Sequence, residues 1–196
     1  LMDLYSRENK LNQSANFTIQ CAKKLNGQIP IAALVCSFDK SKNNSSLISY
    51  QELGTLFHEM GHALHVLVGQ TEYQNTSGTR TAIDLVEVPS QFMELFTQDY
   101  RTLSMFAHHH KTGQVIPNDL LNKELQKEKL FAALDLEEQV ALALLDILLF
   151  GPADMQYEVL ELPKPEPKLA VQPRMHPIAL YEKIKNKFTS VPFTRG

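Results

Sequence analysis

From Ser49 to Val68 the chain carries one helical pattern with two histidines and a glutamate set into its middle. Ser49 is followed three residues later by Glu52, the spacing of a capping box. Inside the helix stands His58-Glu59-Met60-Gly61-His62, a His-Glu-x-x-His motif. Helical positions i and i+4 share a face, so both imidazoles reach one zinc at roughly 2.0–2.1 Å, with Glu59 beside the remaining coordination position. A helix built this way constrains its surroundings, because the metal needs a further ligand from another element. Gly61 is costly in a helix interior, by about 1 kcal/mol against alanine, so another backbone is predicted to pack there. Gly69 is predicted to end the helix in the left-handed conformation.

The third ligand does not follow from the motif itself. His65 lies about 10.5 Å along the axis from His58, at about 1.5 Å rise per residue, too far for one ion to hold both easily. It reads as a residue that orients a ligand, touches substrate or packs. A third histidine ten residues after the first, the metzincin spacing, is excluded because that position is Val68. A second helical pattern covers Ala82 to about Tyr100, with a kink predicted at Pro89. It offers Asp84, Glu87, Glu94 and Asp99. Glu87 shares a face with Asp84 and Gln91, so spacing favours it as a ligand with neighbours that orient the histidines, and leaves the other carboxylates open.

Before the motif, Asn16–Lys23 alternates in polarity and Ile31–Phe38 is an apolar run, with Asn26-Gly27-Gln28 between them. A β-hairpin is predicted there, followed by a polar loop through Asn43 and Asn44. The free edge of the Ile31–Phe38 strand is expected to accept a substrate backbone by strand addition. Gln70–Arg80 reads as a surface loop. Asn118–Phe150 is helical, possibly two helices divided near Asp135, and its Leu/Ala repetition predicts core. Five prolines between Leu162 and Pro177 suit an extended connector, and Ile178–Thr189 resumes helical periodicity.

Composition narrows the function class. Nineteen basic and twenty-two acidic residues leave a formal charge of −3, which offers no basic field for a nucleic-acid partner. The apolar run around Val140–Phe150 is broken by Asp146 and is short of the about 20 residues of a membrane span. Cys21 and Cys36 form no disulfide framework and read as buried free thiols. The charged stretch Asn118–Lys129 reads as a solvated face, and His108-His109-His110 as an exposed run with at most adventitious metal affinity.

The stretches Phe57-His58-Glu59-Met60-Gly61-His62-Ala63-Leu64-His65, Tyr73-Gln74-Asn75-Thr76-Ser77-Gly78-Thr79-Arg80 and Asp84-Leu85-Val86-Glu87-Val88-Pro89-Ser90-Gln91-Phe92-Met93-Glu94 resemble the thimet oligopeptidase family of zinc metallopeptidases, closest to its mitochondrial intermediate peptidase branch. The resemblance runs through nearly the whole chain from Asp3-Leu4-Tyr5-Ser6-Arg7, and is weakest in the proline-rich stretch. It implies one zinc held by His58, His62 and Glu87; the motif makes Glu59 the catalytic base, and spacing makes His65, Asp84 and Gln91 residues that support the ligands or touch substrate. The set favours zinc over cobalt or manganese.

The fold implied is mainly α with a small β-hairpin or sheet near the N-terminus, the zincin-like catalytic core of a larger, two-lobed helical peptidase. Residues 1–48 would form a β-rich edge, 49–100 the zinc-site helices, 101–161 a helical region, 162–177 the connector and 178–196 a C-terminal helix, truncated. In the family a His- and Tyr-rich segment that grips the transition state lies further on. The activity implied is a metalloendopeptidase using zinc-activated water on peptide or precursor-protein substrates, trimming N-terminal peptides of imported precursors in the mitochondrial matrix. A cytosolic oligopeptidase of the same family and a non-catalytic zinc- or peptide-binding module are the alternatives.

Overall fold

A computed structural model describes residues 1–39, 47–163 and 174–193. The chain divides into two compact units, residues 1–121 and 122–196. The first is built on a three-stranded sheet: β1 (Met2–Tyr5), β2 (Ala15–Gln20) and β3 (Ile31–Phe38) in the order β1-β3-β2. β2 and β3 form the predicted antiparallel pair, with Phe17 opposite Ala33. β1 runs parallel to β3, with Met2 opposite Leu34, and the sequence did not announce it. Four residues are too few to show a period of two.

β3 is therefore central, and both of its edges are already paired. The expectation that its edge takes up a substrate backbone is corrected: among the described strands the open edges belong to β1 and β2. Alternation along β3 buries Ala32, Leu34, Cys36 and Phe38. Leu34, Cys36 and Phe38 form a core with Leu4, Tyr5, Ile48, Leu56 and Met60. Cys21 and Cys36 are free thiols, and Cys36 alone is fully buried. The β1 register slips after Asp3, and Lys10 bridges the slip: its Nζ donates to Asp3 Oδ1 at 3.0 Å and to the carbonyl of Tyr5 at 2.8 Å.

Helix α1 (Tyr50–Val68) begins at the predicted capping box, with the Glu52 N–H donating to Ser49 Oγ and the Ser49 N–H to Glu52 Oε2. Its end differs from expectation. Gly69 is not left-handed but has φ −74° and ψ 50°. What requires glycine there is close approach, since a Cβ would lie 2.5 Å from the carbonyl oxygen of His65 and 2.8 Å from the Cα of Gly78. The loop that follows is not wholly superficial either: Ser77 and Gly78 are buried, with Ser77 Oγ accepting from the Ala22 N–H and the Gly78 N–H donating to Gly69.

The pattern over Ala82–Tyr100 folds as three pieces: a 3-10 turn at Ile83–Leu85, α2 (Val88–Glu94) and a 3-10 turn at Leu95–Gln98. Pro89 makes no kink. It occupies the first turn of α2, where a missing N–H costs no helical bond. A short α3 (Tyr100–Leu103) follows, capped by Asp99.

Helix α4 (Asn118–Phe150) is continuous through Asp135, so the suggested division there is not realised. Its apolar residues are only partly core. Ala141 and Leu148 are buried, whereas Leu130, Phe131, Leu136 and Phe150 are exposed. In the second unit Ala141 and Leu148 pack with Leu160, Leu180 and Ile184, the last two from α6 (Pro177–Phe188), which follows α5 (Met155–Val159). Pro152 has no N–H to give the Leu148 carbonyl; the buried Gln156 side chain supplies it at 2.8 Å and accepts from the Met175 N–H at 3.0 Å. Most of the proline-rich connector lies outside the described residues. Among these residues no helix is long and apolar enough to cross a membrane.

Candidate metal centre

The 3.6-residue turn of α1 sets His58 and His62 side by side, ring centroids 4.9 Å apart. Opposite them α2 begins, and Glu87, immediately before its first residue, faces both rings. Glu87 Oε2 stands 3.3 Å from His58 Nε2 and 3.3 Å from His62 Nε2. Among the described residues, His58, His62 and Glu87 form the one group of three or more such side chains whose ligand atoms all lie within 4.8 Å of one another.

Two of the three are held from behind, His58 and Glu87, whereas His62 Nδ1 is buried without a hydrogen-bond partner. His58 Nδ1 is bonded to Glu94 Oε1, one helical segment beyond Glu87. A carboxylate only accepts, so this bond calls for a proton on Nδ1 and leaves Nε2, on the side of Glu87, as the nitrogen available to a metal. Glu87 accepts from Ser90 Oγ at 2.7 Å, and that bond, ahead of the two histidines, holds its carboxyl below the usual glutamate range. Burial lowers the pKa of His62, which keeps that ring neutral and able to ligate.

The donor set fits a tetrahedral divalent metal. Four ligands at roughly 2.0–2.1 Å place neighbouring donor atoms about 3.3 Å apart. Both histidine-to-carboxylate separations have that value. A divalent cation between the two Nε2 atoms and the carboxylate would be attracted to all three.

Glu59 points from the same helix but is nearly buried, at 7% exposure, and its Oε2 has no hydrogen-bond partner. Burial raises its pKa, His58 lowers it and Glu87 raises it, for a net upward shift. The other proposed residues divide. His65 is half-buried with an unpartnered Nδ1 and stands outside the three-residue cluster. Asp84 and Gln91 are exposed, and the carboxylate that orients His58 is Glu94 instead. In the sequence Glu94 stands only as one of four possible ligands, with Asp84, Glu87 and Asp99. Its spacing from Glu87, seven residues or about two helical turns, was the signal that both share a face. Asp99 caps α3 and is ion-paired with Arg101. His109 and His110 are exposed and belong to no metal-binding cluster among the described residues.

Comparison with known proteins gives the family of the chain. The family model described as Peptidase family M3 matches residues 1–164, and the chain belongs to that family. It is 44% identical over 154 residues to a mitochondrial intermediate peptidase of Arabidopsis thaliana, covering 76% of this chain and 22% of that protein. It is 39% identical over 153 residues to a mitochondrial intermediate peptidase of Homo sapiens, with the same shares covered. A Neurospora crassa protein of that name is 46% identical over 120 residues, 61% of this chain and 15% of its own length. The chain thus spans 22% or less of the length of these three relatives.

Proposed function

We propose that this chain carries the zinc site of a metalloendopeptidase, with His58, His62 and Glu87 as ligands and Glu59 as the proton-transferring group. The observation that carries the reading is the pair of 3.3 Å separations from Glu87 Oε2 to the two Nε2 atoms, beside a buried Glu59 whose Oε2 has no hydrogen-bond partner. Zinc, when bound, supplies a Lewis acid that polarises a peptide carbonyl and acidifies water. The protein's own share is positional. Glu94 holds the proton of His58 on Nδ1, and Ser90 holds Glu87, so the donor atoms meet without a search over rotamers.

Glu59 accepts a proton from the attacking water at its free Oε2 and delivers it to the leaving amine. Its burial raises its proton affinity, which suits a group that must both take and return a proton near neutral pH. The substrate is an N-terminal peptide segment of a mitochondrial precursor, a reading supported by the names of the relatives and by the family. The matrix is the corresponding compartment.

The test begins with zinc equivalents per chain after gel filtration and mild chelation. One equivalent, lost in Glu87→Ala, is expected; none in a folded chain overturns the ligand set. Cleavage of processed precursors against small free peptides, by the full-length protein, then tests the substrate, and indifference between them overturns the precursor assignment.

A further inference from the structure

We propose that Gly61 and Ser90 are a positioning pair that determines where Glu87 stands relative to His58 and His62. The inference rests on the ligand reading above and explains how α2 reaches the site. With about 100° between successive helical residues, Gly61 projects about 60° to one side of His58 while His62 lies about 40° to the other. The glycine therefore occupies the half of α1 that carries both ligands.

At that point α2 does not pack side chain against side chain. A Cβ built on Gly61 would lie 2.5 Å from the carbonyl oxygen of Pro89, 2.5 Å from the Cα of Ser90 and 2.8 Å from the Pro89 carbonyl carbon. All three are backbone atoms, and no rotamer change relieves such contacts. The first turn of α2 thus rests directly on the backbone of α1. Any side chain at position 61 displaces that turn outward, and with it Glu87, two residues before Pro89.

Ser90 completes the device. It is fully buried, and its Oγ lies 2.7 Å from Glu87 Oε2 and 2.9 Å from the Glu87 carbonyl oxygen. Glu87 itself is exposed over half its side chain and would otherwise sample several rotamers. Gly61 sets the depth of the α2 turn, and Ser90 fixes the carboxylate on it. Gly54 offers a built-in control on the same helix, because a Cβ there meets nothing within 4 Å.

The experiment is a zinc titration of the purified 196-residue chain against a chromophoric chelator, with circular dichroism of each metal-free variant. Gly61→Ala and Ser90→Ala are expected to weaken zinc binding about 10–100-fold with helix content retained. Gly54→Ala leaves it unchanged. In a Glu87→Ala background Ser90→Ala adds no further loss, an outcome that a purely structural role for the serine does not produce. Wild-type affinity in both Gly61→Ala and Ser90→Ala, alongside a large loss in Glu87→Ala, overturns the positioning role and leaves the ligand set standing. Wild-type affinity in Glu87→Ala overturns both. If Gly61→Ala does not fold, the Ser90 variants decide alone.

Discussion

His58 Nδ1 is bonded to the carboxylate of Glu94, a residue from the far end of the helix whose near end presents Glu87. One short helix therefore touches the same imidazole from both sides: Glu94 at Nδ1 and Glu87 at Nε2. The arrangement defines the tautomer of His58 without any contribution from α1 itself. It also makes the geometry of the site depend on a single rigid element.

Removing the Glu94 carboxylate is accordingly expected to weaken zinc binding about 10–100-fold, the usual cost of losing a group that orients a histidine ligand. Glu94→Ala tested by chelator competition gives the magnitude. Imidazole nitrogen shifts by NMR should show His58 losing its fixed Nδ1–H form, and an unchanged tautomer would speak against the orienting role.

Glu59→Gln keeps the size of the side chain and removes its ability to take a proton. In the full-length protein, turnover should fall by about 10²–10⁴-fold or more while zinc stoichiometry stays at one. Near-normal turnover in that variant would remove Glu59 from the mechanism.

Asp99 receives the N–H of Arg101 at 2.8 Å and pairs with its guanidinium at 2.6 Å, and the side-chain bond to Arg101 is the main cause of a pKa lowered to about 2. Because the folded value lies below the ordinary 3.8, any stabilisation from this pair is complete above pH 3.8 and lost as pH falls toward 2. A carboxyl NMR titration should find Asp99 still ionised at pH 3, and Arg101→Ala should raise its pKa part of the way, because the backbone N–H of residue 101 still donates to it.

Gly69→Ala and Gly69→Asn are both expected to destabilise the first unit by about 1–3 kcal/mol, since each drives a Cβ into the His65 carbonyl and the Gly78 backbone. Asparagine would be tolerated at a left-handed helix end. Equal midpoint losses in urea for the two variants support the packing explanation, and a benign asparagine contradicts it.

Gln156→Ala leaves the Leu148 carbonyl and the Met175 N–H without their partner in a buried setting. Each unsatisfied group costs about 1–3 kcal/mol. Urea unfolding should show a loss of about 2–6 kcal/mol in the second unit, and a change below about 0.5 kcal/mol would mean that water replaces both bonds.

Local chemistry was legible without coordinates. The capping box at Ser49 and Glu52, the shared face of His58 and His62, and the need for a backbone neighbour at Gly61 all follow from interactions within a turn or two of one helix, where sequence spacing is spatial spacing. The antiparallel pairing of β2 with β3 was readable from the alternation along β2 and the turn residues before the apolar run of β3, whereas the register slip between Thr18 and Gln20 was not.

Other features depended on contacts between segments far apart in the chain. β1 joins β3 across some thirty residues and converts an apparent edge strand into a central one. Gly69 was needed for the approach of Gly78, not for its own dihedral freedom. Pro89 began a helix where periodicity had drawn one through it. The sequence by itself determined which residues present metal-binding chemistry and that two of them share a helix face. Spacing and resemblance pointed to Glu87, but only the tertiary structure brought its Oε2 to 3.3 Å from both Nε2 atoms and set Glu94 against His58 Nδ1, because these are contacts between α1 and α2 that neither helix contains by itself.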